Sequence, residues 1–79
     1  MSKREFTILI DEVLNEFDCL LEGLDYNNEG ICTVTYYDGV FNRQIFVAYR
    51  FMNRARLRLK LMKQLGILYS AGTNFEFDN

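Results

Sequence analysis

Along the N-terminal third of the chain, apolar residues recur every three or four positions. Phe6, Leu9, Ile10, Val13, Leu14, Phe17, Leu20, Leu21 and Leu24 follow that spacing. At about 100° per residue they fall in one stripe about 140° wide. Asp11, Glu12, Asn15, Glu16, Asp18 and Glu22 fill the remaining surface, with Ile8 and Cys19 as apolar exceptions. Ser2 and Glu5 have the spacing of a capping box, in which each side chain satisfies a backbone N–H at the helix start. Gly23 is placed to supply the left-handed residue that ends many helices, and Leu24 to pack back on the last turn. The pattern predicts an amphipathic helix from about Lys3 to Glu22.

The period then changes. Asp25 to Gly30 is loop by composition, and Ile31 to Tyr37 is β-branched and aromatic, which predicts a strand. Asp38-Gly39 is a hairpin signal because both positions tolerate the positive φ of a type I′ turn. The return strand runs from about Val40 to Tyr49, and a longer loop with pairing resumed at Arg43 is the alternative. Of its two faces, Phe41, Arg43, Ile45, Val47 and Tyr49 form the more apolar one, expected to meet the helices. Within the segment from about Phe51 to Leu65, Arg56, Arg58 and Lys60 alternate with Leu57, Leu59 and Leu61 like a strand, yet between Arg54 and Leu65 every residue is a good helix former and none is β-branched. Propensity predicts a second helix, ended by Gly66. Residues 67–70 then predict a further strand, and residues 71–79 either extend it or fray.

The expected architecture is a single small α+β domain over residues 1–79, in the order α-β-β-α-β. An antiparallel hairpin and one further strand carry two helices packed on one face. At 79 residues such a domain buries only about 60–65% of its unfolded surface, so its stability margin is small.

Composition narrows the chemistry. Histidine is absent, which removes the commonest general base, metal ligand and pH switch. Cys19 and Cys32 are too few for a zinc site of their own and are expected as buried, reduced thiols rather than a disulfide. The five glycines form no phosphate-binding loop. The expectation is a non-enzymatic protein with no catalytic residue, no cofactor and no metal. It has no apolar run of the roughly 20 residues that span a bilayer and no secretory leader pattern, so it is expected in the cytoplasm, away from membranes.

Charge adds the main functional clue. Seven acids and no bases occupy Asp11 to Glu29, whereas Arg43, Arg50, Arg54, Arg56, Arg58, Lys60 and Lys63 form an uninterrupted basic run. On the second helix Arg56, Lys60, Lys63 and Gln64 make an ordinary solvated face about 100° wide. The apolar residues spread over about 220°, and Arg50, Arg54 and Arg58, spaced by four, fall inside that arc. Three explanations are open. These arginines pair with the acids of the first helix; or Arg50, Arg54, Arg58 and Met62, with the exposed edge of the hairpin, form a protein interface; or Arg50, Arg54, Arg56, Arg58, Lys60 and Lys63 bind nucleic acid beside the hairpin aromatics Tyr36, Tyr37, Phe41 and Tyr49. An acidic pI near 5.0 weighs against the third. The favoured expectation is a small protein-protein interaction module, homodimeric, with a regulatory or inhibitory role of the kind carried by phages and other mobile elements. The nucleic-acid-binding module is the alternative.

Overall fold

The structure, a computed structural model, describes residues 1–66. Two helices and a three-stranded antiparallel sheet make an α+β domain. The chain order is α1 (Lys3–Glu16), β1 (Leu20–Tyr26), β2 (Ile31–Tyr37), β3 (Asn42–Ala48), a short 3₁₀ turn (Tyr49–Phe51) and α2 (Arg54–Gln64). The sheet order is β1-β2-β3. The strand expected at 67–70 and the tail at 71–79 lie outside the described residues.

The first helix begins as its capping box requires: the Glu5 N–H donates to Ser2 Oγ at 3.1 Å, and the Ser2 N–H to Glu5 Oε1 at 3.0 Å. It ends earlier than the periodicity suggests. Asp18 takes φ 58°, its N–H donates to the Asn15 carbonyl, and the Cys19 N–H reaches back to Leu14 at 2.9 Å. This is a Schellman stop with aspartate where glycine is usual; Asp tolerates the left-handed region better than most residues. Leu20 to Tyr26 then pair with β2 instead of prolonging the helix. Leu20, expected on the helix's apolar stripe, is 64% exposed on β1.

The hairpin loop is longer than a two-residue turn, but it ends at Phe41, one residue short of the loop through Asn42 that the alternative required. Asp38 N–H donates to the Phe41 carbonyl at 3.0 Å, and Asp38 Oδ1 accepts the N–H groups of Val40 and Phe41. Pairing starts at Asn42 and keeps an unbroken register to Ala48. Phe41 falls in the turn and is exposed, not on the inner face, while Ile45, Val47 and Tyr49 are buried there as expected. Cys32, Val34 and Tyr36 of β2 face the same way. Against this sheet face lie Phe6, Leu9, Ile10, Val13 and Leu14 of α1 and Leu57 and Leu61 of α2, in one continuous core. α1 packs on β1 and on α2. Full burial of each leucine stabilises by about 1.5–3 kcal/mol, enough to decide where a helix of this length sits.

One buried group is out of keeping. The Tyr36 hydroxyl is buried and has no hydrogen-bond partner among the described residues, and burial pushes its pKa above the ordinary tyrosine value. A buried, unpartnered hydroxyl costs about 1–3 kcal/mol. Tyr36→Phe therefore leaves stability unchanged or raises it by up to about 1 kcal/mol, measured as the urea midpoint at neutral pH, whereas a loss of stability would mean that the hydroxyl is paired.

Candidate protein interface

The second helix starts where Asn53 caps it, its side chain accepting the Arg56 N–H at 2.9 Å. Leu57 and Leu61 point into the core, and that orientation fixes every other position on the helix. Arg54 and Arg58 are carried against α1. Arg54 pairs with Glu12 and, at 3.1 Å, with Glu16, and Arg58 pairs with Glu16 and lies 5.6 Å from the centre of the Phe17 ring. Arg50 sits in the 3₁₀ turn, its guanidinium 5.8 Å from the centre of the Tyr49 ring. Its carbonyl accepts the Met1 amine at 3.0 Å. Met62 is half-buried. The row of arginines within the apolar arc is thus largely occupied inside the chain itself.

Arg56, Lys60 and Lys63 lie elsewhere. Arg56 donates to the Phe51 carbonyl at 3.2 Å, and among the described residues none of the three makes an ion pair. Two open hollows meet at the lysines. One, of about 480 Å³, lies between α2 and β3 and is lined by Gln44, Ile45, Phe46, Lys60, Lys63 and Gln64. The other, of about 310 Å³, adds Met52, Leu59 and Arg56. Among the described residues no acidic side chain lines either. Phe46 and Leu59 are exposed beside them.

The inner wall of the larger hollow is a strand edge. The Asp38–Phe41 bond makes that pair hydrogen-bonded, so alternation bonds Arg43, Ile45 and Val47 to β2. The N–H and C=O groups of Asn42, Gln44, Phe46 and Ala48 then turn outward, away from β2. Among the described residues no strand pairs with this edge. The edge on β1 is different: its register breaks at a bulge between Leu21 and Gly23, where acidic Glu22 sits, a feature that discourages pairing. Arg43 ties the hollow's two walls together, its Nε bound to Asp38 and its Nη1 donating to the Gln64 carbonyl at 3.3 Å.

Of the residues singled out from the sequence, Arg56, Lys60 and Lys63 come together on this flank. Arg54, Arg58 and Arg50 do not join them, and Tyr36 and Tyr49 are buried rather than available for stacking. Gln44, Phe46, Met52 and Leu59 were not named as site residues, although Gln44 and Phe46 lie on the hairpin edge expected in the interface and Met52 and Leu59 in the wide apolar arc. Cys19 and Cys32 are free, buried thiols whose pKa values burial pushes up. Among the described residues no cluster of acids and cysteines is arranged to hold a metal, and no helix is long and apolar enough to cross a membrane. Comparison with protein-family models, curated proteins and solved structures finds no match to this chain.

Two outcomes follow. The α1–α2 ion pairs are largely solvent-exposed, so Glu16→Gln costs about 0.5–1 kcal/mol in urea unfolding, and a cost several times larger would show that the pairs hold the helices together. Asp38 accepts two backbone N–H groups and Arg43, which hold its pKa at about 2, below the ordinary 3.8. Its contribution to stability is complete above about pH 4 and is lost as the pH falls towards 2. Asp38→Asn is accordingly less stable than the parent at pH 7, and the difference narrows on acidification, read from paired urea titrations at pH 7, 4 and 2.

Proposed function

We propose that this chain is a small non-enzymatic protein-interaction module with a regulatory or inhibitory role, acting by surface contact through the flank formed by α2 and β3. The observation that supports this is the pair of joined hollows, where among the described residues Lys60 and Lys63 stand without an acidic partner beside exposed Leu59 and Phe46. Apolar anchors within a cationic surround suit a protein surface of opposite charge, and the charges guide encounter as well as register. The regulatory or inhibitory role follows from scale, since a domain this small with no histidine works by occupying a surface. Two buried free thiols suit a reducing cytoplasm.

Homodimerisation belongs to the same proposal, but its support has moved. Arg54 and Arg58 have partners within the chain, so the surface that suits a second copy is the outer face of the sheet. Leu20, Tyr37 and Phe46 are exposed there, and the acids of that face, Glu22 at the bulge and Asp25, are confined to β1. Interface centres are depleted in charge in this way. A nucleic-acid-binding module is the second reading, favoured by the unpaired set Arg56, Lys60 and Lys63. It loses Arg54 and Arg58 to carboxylates and loses Tyr36 and Tyr49 to the core.

A photo-reactive residue placed at Leu59 is expected to give a discrete protein adduct in the native host, with Ile8 on α1 as the control position. Lys60→Glu combined with Lys63→Glu should abolish the adduct. An adduct sensitive to nuclease would support the second reading, and none at all would sink both. Light scattering at micromolar concentration is expected to give twice the chain mass of 9.4 kDa; a clean monomer removes the dimer.

A further inference from the structure

We propose that the β3 edge, unpaired among the described residues, is a strand-addition site that takes an extended, acidic segment of a partner protein. The segment pairs with the outward N–H and C=O groups of Gln44 and Phe46 and sets carboxylates against Lys60 and Lys63. This rests on the protein-interaction reading and specifies its partner.

Three features converge on it. The first is the edge itself. Seven consecutive residues of β3 hold an unbroken register with no proline and no bulge, whereas the β1 edge is interrupted at Glu22. A regular, exposed edge is a template for another strand. The second is the hollow. Its volume of about 480 Å³ lies directly outside Gln44, Ile45 and Phe46, so an added strand has room where its backbone must run. The third is spacing. Along a strand, residues i and i+2 point to one side and stand about 6.6–6.8 Å apart. Lys60 and Lys63, three apart on a helix, have Cβ atoms about 5–6 Å apart. Two carboxylates at alternate positions therefore meet the two ammonium groups in step. The intervening side chains turn to the outer face of the sheet, beside exposed Phe46. The segment so recognised alternates acidic and apolar residues and contains no proline where it pairs.

Charge also selects against a second copy at this place. Two β3 edges related by a two-fold axis would bring Lys60 and Lys63 of one chain against the same residues of the other, which like charges resist. A β1 edge from a second copy has acids but also the bulge, which breaks the register.

The test uses the full chain, uniformly labelled with ¹⁵N, titrated with an acetylated and amidated Thr-Glu-Val-Glu-Val-Glu-Thr peptide. A peptide with proline in place of each valine is the control. Saturable shifts are expected at the amides of Gln44 and Phe46, which also gain protection from hydrogen exchange, with smaller changes at Ile45. The proline peptide should bind at least about tenfold more weakly, as should the native peptide to Lys60→Glu/Lys63→Glu. Gln44→Pro removes one outward donor at a position where an edge strand tolerates proline; it should keep the native spectrum elsewhere and lose binding.

Four outcomes overturn the proposal. No shift at ~1 mM peptide is one. A second is Gln44 and Phe46 amides already protected in the free chain through contacts with its own residues 75–78, whose Phe-Glu-Phe-Asp sequence has the same alternation. A third is protection that grows with protein concentration alone, which assigns the edge to a second copy. The fourth is a nucleic-acid probe that shifts the lysines while the peptide moves nothing. If the peptide fails yet the Leu59 adduct still forms and still needs both lysines, strand addition falls and the protein-interaction reading stands. If both fail, both fall.

Discussion

At Asp18 the backbone leaves the first helix with φ of 58°, and the N–H groups of Asp18 and Cys19 close on the carbonyls of Asn15 and Leu14. The rest of the architecture depends on that turn. It frees residues 20–26 to become a strand, and that strand covers the β2 side of the hairpin. Without it β2 would be an open edge and the inner sheet face too narrow for two helices. With it, α1 lies on β1, α2 lies on α1, and among the described residues the β3 edge is left unpaired. A single non-glycine residue in the left-handed region thus makes β1, and not β2, an edge of the described sheet. The conformation costs Asp less than most residues, and the two bonds it completes offset that cost.

Charge is partitioned by the same packing. Burial of Leu57 and Leu61 rotates α2 so that Arg54 and Arg58 overlie α1, where Glu12 and Glu16 meet them. The opposite side of the helix keeps Arg56, Lys60 and Lys63. In a basic run of seven that looks uniform in one dimension, Arg43, Arg54 and Arg58 are neutralised at close range, whereas Lys60 and Lys63 project beside the β3 edge with Arg56 next to them. The exposed pairs add little to stability. Their larger effect is to remove charge from one side of the helix and so to sharpen it on the other.

Much of this was legible in the residues. The capping box at Ser2 and Glu5, the α+β class, the inward Ile45 and Val47 of β3 and the helical state of Arg54 to Gln64 follow from local rules that tertiary packing did not override, whereas Phe41 falls in the turn and Phe51 in the 3₁₀ turn before α2. The end of α1 was not legible, because Leu20, Leu21 and Leu24 satisfy a helical stripe and a strand equally well. Gly23 also advertises a stop that the chain does not use; it lies instead beside the β1 bulge. The candidate site was half visible. Lys60 and Lys63 are on a solvated arc by simple geometry, but which strand edge lies next to them depends on β1 pairing with β2. That pairing is a non-local fact, and periodicity carries no record of it.

Arg43 has a consequence for how fast anything can dock. Its guanidinium holds the start of β3 through Asp38 and the end of α2 through the Gln64 carbonyl, so the two banks of the hollow are cross-braced. Preassembled walls spare an incoming chain the entropy of ordering them. Association is then governed by diffusion and the long-range pull of the lysines, and it should quicken as ionic strength falls. On the proposed reading the molecule acts as a fixed receptor, and the flexibility in the complex belongs to what it captures.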